Sequence, residues 1–206
     1  VLPEARFSRA WLMEGAPPPP VGTADAVLIT GSRAGVPDGL PWVDALMAHL
    51  RDLRAAGTPM AGVCFGHQVM AGAFGGRVER AGCGWIIGRH LHRPTAAGAA
   101  LFGADPLALV SAHRDQVVVP PPGAAVLLAS DGSPHGAFGY DFPALSVQVH
   151  PEFGGDYIEA VLETGLDLRF EDDLVAAARA GLHDPLDAGV IARGFARFLR
   201  ETARAS

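Results

Sequence analysis

An α/β fold with a mostly parallel sheet follows from three features of the sequence. Ala26–Thr30 (AVLIT) and Pro59–Val63 are short apolar runs of the kind buried on both faces of a parallel sheet. Between them, Leu40–Ala56 carries Leu46, Leu50 and Leu53 along one helical stripe and stops at Gly57. A second helix, Gly66–Phe74, follows the second strand and ends at Gly75-Gly76. Strand–helix–strand–helix order needs crossover connections, and those join parallel strands.

Around this centre the other elements are read in turn. Residues 6–13 (RFSRAWLM) suggest a short strand, and Pro17–Pro20 a stiff connector. From Arg77 to Val149 short strands recur in IIGRHL, ALVSA, QVVV, AVLLA and ALSVQV. Turn residues at Pro120–Gly123 and Asp131–Pro134 separate some of them, which predicts a partly antiparallel extension whose last strand returns to the central sheet. The remainder is helical: Asp156–Thr164, Asp172–Ala180, and a last helix running to Ala203. Asp184-Pro185, a cap followed by proline, marks the expected start of that last helix.

Composition narrows the function. With 206 residues, 49% of them hydrophobic, one domain over residues 1–206 is expected. A net charge of −6 gives no reason to expect nucleic acid or an anionic membrane as partner. No apolar run approaches the roughly 20 residues that cross a bilayer, and the opening VLPEARFSRAW does not read as a signal peptide. Two cysteines, Cys64 and Cys83, make no disulfide framework, which fits a reducing cytoplasm. All 16 basic residues are arginine. Without lysine there is no P-loop lysine, no Schiff base and no pyridoxal anchor, so a ligase step driven by ATP belongs on another chain.

The chemistry concentrates at Gly62-Val63-Cys64-Phe65-Gly66, between a strand and a helix. A tight turn there pushes the central side chain out, and its neighbours two residues away must be small. The helix N-terminus that follows favours a thiolate, and the Phe65 N–H faces the place of a developing oxyanion. Taken alone, the five residues equally fit a small buried cysteine between glycines. The strand ALSVQV ends in His150-Pro151-Glu152. A thiol nucleophile needs an imidazole and a group that orients it, and these residues sit at a strand end, where an open α/β sheet carries its sites. On its own, that tripeptide also fits a plain strand-ending turn.

Together, Gly62-Val63-Cys64-Phe65-Gly66-His67-Gln68 and His150-Pro151-Glu152 resemble the signature of class I glutamine amidotransferases. The closest likeness is to stand-alone proteins similar to the amidotransferase domain of GMP synthase. The resemblance covers about Ala26 to Phe153 and implies a flavodoxin-like three-layer sandwich. It implies that Cys64 attacks the glutamine amide and that a γ-glutamyl thioester forms as ammonia leaves. His150 is then base and acid, with Glu152 orienting it. Phe65 N–H supplies one oxyanion donor and the Gly31-Ser32 loop the other. The family carries a Gly-Gly-Pro type loop there and this chain Gly31-Ser32-Arg33, so which N–H donates stays open. Gln68 and Gly66 are implied to bind substrate. No cofactor or metal is implied. The acceptor of ammonia lies on a synthetase partner or is a small molecule. Two rivals remain: a γ-glutamyl hydrolase or peptidase on the same scaffold, and an amidotransferase-like subunit without activity.

Other residues carry weaker signals. Ala112-His113-Arg114-Asp115-Gln116-Val117 resembles the family's S-H-x-D-x-V segment, with His113 expected in a structural hydrogen bond. Cys83 reads as an inert turn residue, and His90 and His92 lack partners for a metal site. Arg193, Arg197, Arg200 and Arg204 line one helix face, expected to be solvated. The family opens with a strand, a helix and a second strand before the equivalent of AVLIT. Here residues 6–13 take the place of the second, and the first, central strand has no counterpart. The expectation is a strand unrecognised in residues 1–13, an open slot beside Ala26–Thr30, or a strand donated there by a neighbouring chain.

Overall fold

The computed structural model describes residues 2–165 and 170–203. Strand β1 (Val27–Ile29) leads through helix α1 (Pro41–Ala55) to β2 (Met60–Val63) and α2 (Phe65–Ala73). Then come β3 (Arg77–Arg80), β4 (Ile86–Pro94), the short α3 (Ala99–Phe102), β5 (Leu107–His113), β6 (Asp115–Val119), β7 (Ala125–Ala129), β8 (Ala137–Gly139) and β9 (Ala144–Val147). Helices α4 (Gly155–Thr164), α5 (Asp172–Arg179) and α6 (Ala188–Ala203) close the chain.

Seven strands form one curled mixed sheet in the order β1-β2-β9-β8-β7-β4-β5, and β3 pairs with β6 in a two-stranded sheet. β1, β2 and β9 are parallel, with Ile29 opposite Gly62 and Val63 opposite Val147. From β9 outward every pairing is antiparallel. The antiparallel part is therefore larger than the sequence suggests. Its extra strand, β8, is three residues long and too short to show a period of two.

Every residue of β2 and β9 is buried, because helices cover both faces. On one face Met60 and Ala144 pack with Leu46, Leu50 and Leu53 of α1 and Val69 and Met70 of α2. On the other, Val63, Leu145 and Val147 pack with Phe102 of α3 and Ile191 of α6. Alternate residues of the same strands thus feed opposite layers, the pattern expected of a three-layer sandwich.

Two expectations need correction. Residues 6–13 form no strand; a single 3-10 turn spans Leu12–Glu14. Phe7, Trp11 and Met13 are 73%, 60% and 57% exposed, so nothing covers the face that a strand would have to bury. Among the described residues no strand pairs with the outer edge of β1, where Leu28 is 48% exposed. The last helix starts at Ala188 and not at Asp184-Pro185. Asp187 is held by β5 instead: its carboxylate accepts the Ala108 N–H at 2.8 Å, and its own N–H donates to Ala108 O at 2.8 Å. On α6, Arg197 donates to Ala100 O and Arg200 pairs with Glu4, while Arg204 lies outside the described residues.

Candidate active site

Cys64 sits between β2 and α2 with φ 52° and ψ −103°, the sole non-glycine residue with positive φ among those described. Such a backbone costs on the order of 1–3 kcal/mol and persists only where its surroundings enforce it. Enforcement comes from both sides. The Cys64 N–H donates to Val147 O of β9 at 2.9 Å, and its carbonyl accepts the Gln68 N–H in the first turn of α2. Gly62 and Gly66 allow the turn to close. A Cβ on Gly62 would stand 2.7 Å from the Gly66 carbonyl carbon, and one on Gly66 would run into Ile29 O of β1. Gly66 thus serves the close approach of helix to strand.

His150 is fixed just past the end of β9. Its N–H donates to Val110 O at 2.8 Å, which ties the β9 end to β5, and the residue is 5% exposed. Its Nδ1 lies 2.7 Å from Glu152 Oε1, and the Cys64 thiol hydrogen-bonds the same ring. Burial opposes a charged imidazole here. The hydrogen bonds to Cys64 and Glu152, together with their negative charges, outweigh it and push the His150 pKa up to about 9. Phe153 stacks on the ring at 4.0 Å and 7°, and Tyr157 stacks in turn on Phe153 at 4.1 Å. The Gly31 loop closes against this pair: a Cβ on Gly31 would stand 3.1 Å from His150 Cε1 and 3.9 Å from the Cys64 Cβ. Ser32 Oγ accepts the Ala34 N–H at 3.0 Å, and the Met13 sulfur lies 3.3 Å from the same oxygen. Sulfur, imidazole and carboxylate in series can move a proton to and from a reacting group.

The matching family model is "Glutamine amidotransferase class-I", over residues 21–163. The chain belongs to the class I glutamine amidotransferase family. A glutamine amidotransferase-like protein of Schizosaccharomyces pombe is 26% identical, over 86% of this chain and 73% of its own length. Gamma-glutamyl peptidase 5 of Arabidopsis thaliana is 28% identical over 78% of this chain and 66% of its own. A GMP synthase of Parafrankia sp. is 35% identical over 63% of this chain, which spans only 23% of that enzyme. In fold, a glutamine amidotransferase crystal structure from Methylobacillus flagellatus superposes with TM-score 0.74 at 23% identity, covering 94% of this chain and 80% of its own.

The structure brings Cys64, His150, Glu152, Phe65 and the Gly31-Ser32 loop together at the carboxyl ends of β1, β2 and β9. Gln68 lies in the first turn of α2. It is 3% exposed, and its Nε2 donates to Asp115 O at 2.7 Å and to Gln148 Oε1 at 3.1 Å. His113 is bonded to Asp115 O and Ser133 Oγ, and burial drives its pKa down to about 3. Cys83 is exposed in its turn, with Gln116 Nε2 3.7 Å from the sulfur. Among the described residues no three His, Cys, Asp or Glu side chains gather as a metal set, and no helix is long and apolar enough to cross a membrane. Sequence reading missed Gln148, whose Nε2 lies 3.7 Å from Cys64 Sγ. The period of two along ALSVQVH, which puts 148 and 150 on one side, was the available signal.

Proposed function

We propose that this chain hydrolyses the side-chain amide of glutamine through a thioester on Cys64 and passes the ammonia to an acceptor. One observation carries the reading. A cysteine forced into a positive-φ turn at a helix N-terminus shares a buried imidazole with a carboxylate 2.7 Å from Nδ1. With the His150 pKa near 9, the ring holds its proton at neutral pH and the sulfur faces a cation.

Attack by Cys64 Sγ on the amide carbon forms the C–S bond and moves the carbonyl electrons onto oxygen. Phe65 N–H and an N–H of the Gly31-Ser32 loop receive that oxyanion. His150 hands its proton to the amide nitrogen, the C–N bond breaks and ammonia leaves. Water then attacks the thioester as His150 takes back a proton, and glutamate departs from a regenerated thiolate. Glu152 keeps Nδ1 protonated, so Nε2 exchanges the proton. The acceptor is a synthetase partner or a small molecule beside the cleft, in keeping with the relatives that are GMP synthases.

Incubation with free glutamine should release ammonia and glutamate in equal amounts, and a glutamine-like chloroketone should label Cys64. A protein that neither turns over glutamine nor takes up the label has another function. A second reading, cleavage of γ-glutamyl peptides by the same residues, draws on the Arabidopsis relatives. Faster turnover of a γ-glutamyl dipeptide than of glutamine would select it.

A further inference from the structure

His150 is not alone against the Cys64 sulfur. Gln148, two positions earlier, is 2% exposed, and its Nε2 stands 3.7 Å from Sγ. The direction of its amide is set by a chain of bonds that starts at a backbone carbonyl. Asp115 O can only accept, so the Gln68 side chain must turn its NH2 group toward it, at 2.7 Å. The other hydrogen of that NH2 then goes to Gln148 Oε1, at 3.1 Å. With its oxygen so engaged, Gln148 has its own NH2 left for the sulfur.

That polarity selects between forms of the nucleophile. A thiol can point its hydrogen at Ala112 O, 4.0 Å away, and gains little from a second donor. A thiolate has no hydrogen and must receive donors, and in a buried site an unpaired anion is costly. The imidazole of His150 supplies one donor, and the buried amide of Gln148 supplies a neutral one that does not titrate.

We propose that Gln148 is a positioning residue for Cys64: its amide donates to the sulfur, favours the thiolate and fixes its direction, with Gln68 setting the amide's polarity. The inference rests on Cys64 being the nucleophile of the proposed hydrolysis. It gives buried Gln68 work that needs no opening of the core.

The test uses Gln148→Glu, which replaces the donor by an acceptor, and Gln148→Met, close in volume and without a donor. Both are made with Cys83→Ala so that Cys64 is the single thiol, and iodoacetamide alkylation is followed against pH. The midpoint of that curve should rise by about one pH unit in Gln148→Met, a tenfold loss of thiolate, and by more in Gln148→Glu. At pH values below the midpoint, kcat for glutamine should fall about tenfold in step with the thiolate, while KM stays within about twofold. If Gln148→Glu does not fold, Gln148→Met carries the same reading. An unmoved alkylation curve in Gln148→Met, with or without loss of kcat, overturns the positioning role and leaves the glutaminase reading untouched. A shifted curve in a protein that never hydrolyses glutamine keeps the role of Gln148 and moves the substrate elsewhere.

Discussion

His150 and His67 are both almost fully buried, at 5% and 0% exposure, yet the fold drives their protonation in opposite directions. His67 lies under the sheet against Phe138, 4.8 Å between ring centres, and its Nδ1 meets the hydroxyl of Ser146 at 2.9 Å. Burial pushes its pKa down to about 3, and in the same way pushes His113 to about 3 and His92 to about 4. Their partners are hydroxyls and carbonyls, which bond the neutral ring without balancing a charge. His150 suffers the same burial, but hydrogen bonds and electrostatic attraction from Cys64 and Glu152 outweigh it and its pKa rises to about 9. Burial removes water from both regions; the charges next to the ring decide which form survives. The four buried histidines therefore divide into three structural rings and one suited to proton transfer.

The sharpest way to break this comparison is to remove the charged pair. Cys64→Ala should abolish glutamine hydrolysis and keep the fold, and His150→Asn should lower kcat/KM by about 10³-fold or more, because such residues act as a unit. Turnover above a few per cent in Cys64→Ala, measured as ammonia release, would show that another group is the nucleophile. Glu152→Gln should cost less, about 10²-fold, since both reacting groups remain. It also removes one of the influences that raise the His150 pKa, so the alkaline limb of the rate profile, expected near pH 9 in the parent, should move down. A larger loss in Glu152→Gln than in His150→Asn at neutral pH reverses the assigned roles.

Stability should divide along the same line. His67, His92 and His113 have folded-state pKa values below the ordinary 6.5, so the unfolded chain binds more protons there. Their stabilising effect is full above pH 6.5 and is lost as pH falls toward about 4 and then 3. For His150, raised to about 9, the effect is full below 6.5 and lost as pH rises through 9. Denaturant melts across pH should thus weaken at both ends. His92 has an Nδ1 without a hydrogen-bond partner and a long 3.4 Å contact from Nε2 to Ser111, so His92→Leu should flatten the acid side at little cost near neutrality. An acid limb unchanged by His92→Leu would assign that limb to other groups. The smallest effect is expected from Cys83→Ala, which should leave kcat/KM within about twofold of the parent because the residue is exposed in a turn.

The stripe Leu46, Leu50 and Leu53 was legible because each lies on the buried face of one long helix, where the 3.6-residue period has room to repeat. The elbow was legible because its constraint is local: Gly62 and Gly66 are small for the sake of each other. Residues 6–13 misled for a related reason. RFSRAWLM has the composition of a strand, and composition says nothing of whether a partner strand lies alongside. The partners of the Gln68 amide were not legible, because they are Asp115 and Gln148, residues 47 and 80 positions away.

By itself, then, the sequence determined the α/β order, the strained turn at Cys64, the pairing of His150 with Glu152 two residues on, and the absence of any lysine-based chemistry. All of these are set within a few residues, by backbone sterics, periodicity or composition. Only the tertiary structure decided which of the buried histidines keeps a proton, that β1 lies at the edge of the sheet, and that a chain of two glutamine amides ends on the sulfur. Those depend on what charge, donor or strand lies within about 4 Å across the fold, where Coulombic and hydrogen-bond energies are large and sequence distance has no bearing.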